Sequence, residues 1–319
     1  MQAAVLRTLG RAPRCEEFPE PVPEDGEAIV TVLAAALKPV DKQIANGTHY
    51  ASPRALPAIC GTDGLGRLSD RTRVFFGGAR APYGAMAQRA VVRRAFCFPV
   101  PEGIDDDVAA ALPNPGISAW LTLAHRAKLT GGENVLILGA TGVTGGLGVK
   151  IAKLLVARRV VAAGRNPEAL SRLLQQGADS TIRLDLPTGQ LAEAFVHEAG
   201  DSGFQVVIDY VWGAPTEAFL AAITRKEFAS VTKEIRLVQV GESAGPTIAL
   251  PAAVLRSTPL TILGTAGIPS RKILADAMQR VMEYGASGEL RLETERVPLA
   301  EIDLAWERDS RGRRLVVIP

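Results

Sequence analysis

A glycine-rich segment, "ILGATGVTGGLG" at 137–148, has residue types suited to holding a nucleotide phosphate. In dinucleotide-binding turns, glycine lets the chain turn sharply, lets the pyrophosphate approach the backbone, and lets the following helix pack against the strand. Ala140 takes the place of the first glycine of the G-x-G-x-x-G pattern. The candidate cofactor-binding residues of this turn are Ala140, Thr141, Gly142, Val143, Thr144 and Gly145. The pattern alone also fits a packing turn without a ligand.

The residues that end the next apolar run indicate which nucleotide such a turn would bind. An NAD site usually has Asp or Glu about 20 residues after the glycines, where the carboxylate binds the ribose hydroxyls. This sequence reads "VVAAGRN" there, with Gly164, Arg165 and Asn166 in place of an acid. Because arginine presents a fixed fork of N–H donors that matches a phosphate, NADPH is the expected cofactor. The alternative interpretation of Arg165 is a solvated surface residue.

Alternating strands and helices must position these residues. From Pro113 onward, helical segments separate the short apolar runs "NVLILG", "RRVVAAG", "STIRLD", "QVVIDYV" and "IRLVQVG". This alternation predicts βαβ units and a doubly wound parallel sheet of the Rossmann type. Ligands of such sheets bind at the carboxyl ends of the strands, so we expect Gly241 to lie close to the nicotinamide ribose.

The first hundred residues have a different pattern, with strand-like runs separated by Pro and Gly clusters such as "PEPVPEDGE". They predict an irregular, mostly β domain. A chain of 319 residues exceeds the size that one core usually supports. We therefore predict a catalytic domain at 1–112, completed by 265–319 with the final strand "RRLVVIP", and a dinucleotide-binding domain at 113–264.

Composition narrows the class of protein. The chain is 47% hydrophobic and 22% charged with a formal net charge of +2, which indicates neither disorder nor a nucleic-acid partner. Cys15, Cys60 and Cys97 lie far apart, which argues against a disulfide framework and against a cysteine-rich zinc site. The longest apolar run, at 28–37, is too short to span a bilayer. These features favour a cytoplasmic protein with no membrane partner.

With these residues in place, the chain resembles the zinc-independent quinone oxidoreductase branch of the medium-chain dehydrogenase/reductase superfamily. The resemblance runs nearly end to end. Its landmarks are "LKPVDKQIANGTHY" at 37–50, "CGTDGLGRL" at 60–68, "YGAMAQRAVV" at 83–92, "ALPNPGISAWLTL" at 111–123, "GATGVTGGLGVKIAK" at 139–153, "VVIDYVWG" at 206–213 and "VPLAEIDLAWE" at 297–307.

The resemblance implies a GroES-like catalytic domain beside the Rossmann domain, and hydride transfer from NADPH to a quinone or an α,β-unsaturated carbonyl compound. It also implies a homodimer formed through a sheet edge, for which "TPLTILGTAG" at 258–267 is the candidate segment. Zinc-binding members have a cysteine after the third strand and a cysteine-rich lobe. Here the corresponding residue is Lys38 and the lobe is missing, so we expect no metal.

The same resemblance supplies the candidate catalytic residues. Lys38 takes the family position that faces the nicotinamide, where an ammonium group would stabilise and protonate the developing oxyanion. The alternatives are a lysine at the rim of the site or one bound to the cofactor ribose. Tyr50 matches the tyrosine of the family's G-x-Y element and could be a second donor or a substrate wall. Asp41 matches the aspartate of "NPxD", where it would hold Lys38 or its loop.

Two other functions remain open at this point. One is a metal-free carbonyl or alcohol oxidoreductase in which Lys38 is the acid. The other is a non-catalytic family member that keeps its NADPH site, or binds a partner, and has lost turnover.

Overall fold

The computed structural model describes residues 1–225, 234–265, 270–308 and 312–319. The chain divides into two compact units, of which unit 1 is Met1–Asn114 with Met278–Pro319 and unit 2 is Pro115–Ala277. The sequence places these boundaries after residues 112 and 264. Both observed boundaries lie inside helices.

Unit 1 is built mainly from strands. They are β1 (Gln2–Leu6), β2 (Arg14–Glu17), β3 (Glu27–Ala36), β4 (Ala58–Ile59), β5 (Asp63–Arg67), β6 (Arg73–Gly77), β7 (Arg89–Arg93), β8 (Cys97–Pro99), β15 (Thr294–Pro298) and β16 (Arg314–Ile318). A three-stranded sheet has the order β2-β1-β4, and a larger sheet has the order β15-β16-β3-β5-β6-β8, with β7 also paired to β3.

The last strand of the chain lies beside the third. β16 pairs antiparallel with β3, with Val316 opposite Ala36, so the C-terminal segment shares a sheet with the N-terminal segment. Apolar side chains of both segments form one core, in which Phe76 is fully buried and Trp306 is 4% exposed. The helices of this unit are α1 (Pro39–Asn46), α2 (Asp106–Ala111) and α10 (Ile302–Glu307), while α3 (Pro113–Leu121) and α9 (Arg271–Ala286) each contain a unit boundary.

Unit 2 is a layered α/β structure. Its strands are β9 (Asn134–Leu138), β10 (Arg159–Gly164), β11 (Ser180–Arg183), β12 (Val206–Asp209), β13 (Ile235–Gln239) and β14 (Leu260–Gly264). Its helices, besides α3 and α9, are α4 (Val143–Leu154), α5 (Pro167–Gln175), α6 (Thr188–Ala199), α7 (Gly213–Ile223) and α8 (Ala252–Ser257).

The strand order of unit 2 is β11-β10-β9-β12-β13-β14, and every pairing is parallel. Numbered along the chain, this is the 3-2-1-4-5-6 order of the Rossmann fold, which confirms the predicted doubly wound sheet. All five residues of β9 are buried, as expected of a central parallel strand with both faces covered. The strand order reverses at β9 and β12, so the loops after these strands flank the usual ligand position.

Among the described residues, no helix has the length and apolar character needed to cross a membrane.

Candidate functional site

The turn after β9 is held tightly to the neighbouring strand. Gly139 has a φ of +85°, a left-handed conformation that favours glycine. The backbone N–H groups of Gly139 and Ala140 both donate to the carbonyl oxygen of Ala163, at 2.9 and 2.8 Å. The chain then enters α4, whose N-cap is Gly142.

Gly145 allows α4 to approach this turn closely. A Cβ at residue 145 would lie 2.4 Å from the carbonyl oxygen of Gly139 and 2.7 Å from the Cα of Ala140, distances that no side chain tolerates. Because the N-cap Gly142 has no side chain, no capping group occupies the N–H groups of the first helical turn. These amides and the positive end of the helix dipole fit the pyrophosphate of a dinucleotide.

A cavity of about 670 Å³ opens beside the turn, at the carboxyl end of β10. Gly164, at the end of β10, packs closely on the turn, since a Cβ there would lie 2.3 Å from Cγ2 of Thr141. The lining residues are Thr141, Arg165, Asn166, Pro167, Glu168 and Asp185. Three of the sequence-predicted cofactor residues, Thr141, Arg165 and Asn166, thus line one cavity, and Gly164 directly precedes Arg165 in the chain.

The cavity also contains two acids that sequence reasoning missed. The strand end itself has no carboxylate, as expected, but α5 contributes Glu168 and the segment after β11 contributes Asp185. The hydrogen bond from Arg183 holds the pKa of Asp185 below its ordinary value, and Arg165 adds a smaller effect in the same direction. Asp185 could not be assigned from sequence, because it reaches the cavity through the pairing of β11 with β10. Glu168 lies only three positions after Arg165, in the first turn of α5, and was overlooked.

The turn after β12 flanks the usual ligand position from the other side, since the strand order reverses between β9 and β12. Buried Asp209 accepts hydrogen bonds through Oδ1 from the N–H groups of Val211 and Trp212, at 2.9 and 2.8 Å, and burial raises its pKa. Trp212 has a φ of +55°, which is strained for a residue of its size. Gly241 packs on this turn, since a Cβ there would lie 2.7 Å from the carbonyl oxygen of Tyr210. Its predicted proximity to the nicotinamide ribose stays a prediction.

In unit 1, Lys38 lies at the centre of a buried ion cluster. Its side chain is 2% exposed. Its Nζ lies 3.0 Å from the carbonyl oxygen of Ala36, 3.0 Å from Oδ1 of Asp63 and 3.2 Å from Oδ2 of Asp41. An ammonium group has three N–H donors, so these three oxygens match its full donor capacity. The structure therefore places Lys38 in the interior of unit 1 rather than at a rim.

The two carboxylates of the cluster are themselves anchored. Oδ1 of Asp41 accepts from the N–H of Thr62 at 3.0 Å, and Oδ2 accepts from the backbone N–H of Lys38 at 2.9 Å. Oδ2 of Asp63 accepts from the Thr62 hydroxyl and from the Asn114 amide, at 3.0 and 3.1 Å. Burial lowers the pKa of Lys38, but the two aspartates outweigh burial, and the net pKa is above the ordinary value.

Tyr50 has a contrasting position in the same unit. Its side chain is 97% exposed, and its ring lies 4.0 Å from the ring of His49, centroid to centroid. The structure does not bring Tyr50 into the ion cluster of Lys38, Asp41 and Asp63. In the part of the chain that the structure describes, no group of three or more His, Cys, Asp or Glu side chains is arranged to hold a metal ion.

Comparisons of the sequence with known proteins find quinone reductases and quinone oxidoreductase-like proteins. No protein-family model matches the chain. A probable NADPH-dependent quinone reductase from Emericella nidulans is 25% identical over 363 aligned positions that cover both chains completely. Quinone oxidoreductase-like protein 2 from Bos taurus is 31% identical over 182 residues, which cover 57% of this chain and 49% of that protein. The match to the bovine protein therefore spans about half of its length.

Solved structures match the whole chain. The quinone oxidoreductase of Thermus thermophilus, solved alone and in complex with NADPH, has a TM-score of 0.79 and 28% identity, with complete coverage of both chains. An alcohol dehydrogenase superfamily protein from Novosphingobium aromaticivorans has a TM-score of 0.81 and 24% identity, covering 100% of this chain and 99% of that one. These matches include both units and confirm the predicted combination of a Rossmann domain with a GroES-like domain.

Proposed function

Because this chain belongs to the quinone oxidoreductase-like branch of the medium-chain dehydrogenase/reductase superfamily, we propose that it is an NADPH-dependent oxidoreductase. Its proposed reaction transfers a hydride to a quinone or an α,β-unsaturated carbonyl compound. The observation that carries the proposal is the cavity at the end of β10, where Arg165 stands beside the glycine turn.

The residues of unit 2 fit the cofactor part by part. The N–H groups at the start of α4 would bind the pyrophosphate, and the missing side chain at Gly145 leaves the turn close to the helix. The guanidinium of Arg165 and the amide of Asn166 would bind the 2′-phosphate. When bound, NADPH supplies the hydride, and a proton completes the reduction of the acceptor.

We propose that the reaction needs no metal ion. A quinone or an enone spreads the negative charge that follows hydride transfer over a hydroquinone anion or an enolate, so a hydrogen-bond donor near the oxygen suffices. In this sequence the family position of the zinc-binding cysteine is occupied by Lys38. Its ammonium group supplies a positive charge that two aspartates already neutralise.

The contacts of Lys38 support a positioning role over proton donation. All three of its donors have protein partners, and a raised pKa makes it a poor acid at neutral pH. In this proposal, Lys38 and Asp41 fix the connection between β3 and α1. Exposed Tyr50 is then the remaining candidate for a donor to the acceptor oxygen, and Tyr50→Phe with Lys38 retained tests that role.

We also propose that the protein is a cytoplasmic homodimer. β14 pairs with β13 on one side, and within the described residues no strand pairs with its other side. Its side chains are only partly buried, and a strand edge of this kind needs a cover. Residues 266 and 267 of the predicted edge segment lie outside the described residues. Light scattering should report twice the chain mass of 33.7 kDa.

Steady-state oxidation of NADPH with a panel of acceptors tests the proposed reaction. We expect turnover with 1,4-benzoquinone, 9,10-phenanthrenequinone or simple enones. Turnover confined to aldehydes would instead favour a carbonyl or alcohol oxidoreductase. Tight NADPH binding with no turnover on any acceptor would favour a non-catalytic member of the family.

A further inference from the structure

The cavity at the end of β10 combines opposite charges at a place proposed for a phosphate. Arg165 lines it together with the carboxylates of Glu168 and Asp185. A 2′-phosphate carries negative charge, so an uncompensated carboxylate in the same cavity would weaken NADPH binding. It would also compete for the guanidinium that should hold the phosphate.

Strand pairing brings the competing groups together. β10 and β11 run parallel with Gly164 opposite Arg183, and the N–H of Leu184 donates to the carbonyl oxygen of Gly164 at 2.9 Å. Arg165 follows directly after Gly164, and Asp185 follows directly after Leu184. The two side chains therefore leave adjacent strand ends and reach one cavity.

A second arginine already holds the acid. Arg183 donates from Nε to Oδ1 of Asp185 at 2.7 Å, and its terminal nitrogen donates to Oδ2, so both carboxylate oxygens are engaged. In the part of the chain that the structure describes, the guanidinium of Arg165 forms no such hydrogen bond. One arginine is thus committed to the carboxylate while the other remains open to a ligand.

We propose that Arg183 is a specificity-determining positioning residue, which binds both oxygens of Asp185 and so keeps Arg165 available for the 2′-phosphate of NADPH. Without Arg183, Asp185 would pair with Arg165, and the cavity would present an acid of the kind that accepts ribose hydroxyls and disfavours a phosphate. This inference rests on the proposed NADPH-dependent function.

A double-mutant cycle tests the proposal through nucleotide dissociation constants. The proteins are the wild type, Arg183→Met, Asp185→Asn and the double variant, and each is titrated with NADPH and NADH by fluorescence at low and high salt. All these side chains are exposed, so the variants should fold. Arg172→Met, which removes an exposed arginine outside the cavity, is the matched control for the loss of one positive charge.

The pairing predicts non-additive effects. Arg183→Met should weaken NADPH binding by about five- to tenfold at low salt, less at high salt, and should change NADH binding by less than about twofold. Asp185→Asn should have almost no effect alone but should restore NADPH binding in the Arg183→Met background. If Asp185→Asn has the same effect in both backgrounds, or if Arg172→Met matches Arg183→Met, the proposal is overturned and only a general charge effect remains.

The wild type separates this inference from the proposed function. A wild type that binds NADH as tightly as NADPH overturns the NADPH assignment, and the role of Arg183 with it. A wild type that prefers NADPH but shows additive variants leaves the function standing and removes the role of Arg183.

Discussion

The Lys38 cluster of unit 1 and the Arg183–Asp185 pair of unit 2 differ in their exposure to water. In unit 1, Lys38 and Asp63 have side chains that are 2% and 8% exposed, and every donor of the lysine has a protein acceptor. In unit 2, Arg183 and Asp185 have side chains that are 47% and 42% exposed, beside a cavity open to solvent. The two salt bridges have similar chemistry, but one is shielded from water and the other is not.

Burial determines whether a charged pair mainly affects folding stability or ligand binding. Removing one partner of a buried cluster leaves a charge without water or counter-charge, and the cost falls on folding. An exposed pair contributes little to folding, because water and salt screen it. Such a pair can still determine whether the site beside it binds a negatively charged group of a ligand. We therefore expect the cluster of unit 1 to act through stability and the charges of unit 2 to act through nucleotide choice.

The largest effect should follow loss of the buried cation. Lys38→Met leaves Asp41 and Asp63 without their shared ammonium group and should lower the free energy of unfolding by about 3–5 kcal/mol. Urea denaturation measures this loss. Lys42→Met, in the helix α1 that Lys38 precedes and only half-buried, is the matched control and should change stability by less than about 0.5 kcal/mol. A loss below about 1 kcal/mol for Lys38→Met would contradict the claim that the buried cluster of unit 1 acts through stability.

Arg165 should affect binding and spare stability. Arg165→Ala should weaken NADPH binding by about 1.5–3 kcal/mol of charged hydrogen bonding while leaving NADH binding nearly unchanged. Titration with both nucleotides checks this, with Arg172→Ala as the control for an exposed arginine outside the cavity. An equal loss for NADPH and NADH would remove Arg165 from the 2′-phosphate site.

Gly145 should not discriminate between NADPH and NADH, because it acts through backbone packing at the turn proposed to bind the pyrophosphate, which both nucleotides contain. Gly145→Ala places a Cβ 2.4 Å from the carbonyl oxygen of Gly139 and should cost about 1–3 kcal/mol of stability. The affinities for NADPH and NADH should fall together. Gly189→Ala, where a Cβ meets nothing within 4 Å, is the matched control. Selective loss of NADPH binding alone would contradict the assignment of this turn to the pyrophosphate.

The smallest effect concerns the exposed acid and its pH dependence. The pKa of Asp185 is lowered by Arg183, so its contribution to stability is present above the ordinary value of 3.8 and is lost as pH falls below it. Because water screens the exposed pair, this contribution is small, and Asp185→Asn should lower the urea midpoint only slightly at pH 7. Denaturation curves at pH 7 and pH 3 measure both statements. A clear loss of stability at pH 7 would show that this exposed pair, like the buried cluster of unit 1, acts mainly through folding stability.

The sequence predicted those features of the fold that depend on the order of neighbouring residues along the chain. The apolar runs predicted β9 to β13 of the parallel sheet, and the glycine spacing identified the turn before α4. The segment that contains β14 was singled out only by the family resemblance. Arg165 could be recognised because it follows a strand end directly. The predicted return of "RRLVVIP" to the first domain corresponds to β16, which pairs with β3.

Features that depend on tertiary packing could not be read in this way. Asp63 is separated from Lys38 by 25 positions, and only the pairing of β5 with β3 brings it to the ammonium group. Asp185 reaches the Arg165 cavity through the register between β10 and β11. Lys38 was identified as a candidate by resemblance, but its burial and its filled donor set are properties of the folded unit.

The most direct test of the account is a fluorescence titration of the wild-type protein with NADPH and NADH, followed by addition of 1,4-benzoquinone to the same sample. We predict tighter binding of NADPH and oxidation of the bound nucleotide by the quinone. Absence of binding by either nucleotide would contradict the assignment of the glycine turn and, with it, the proposed function.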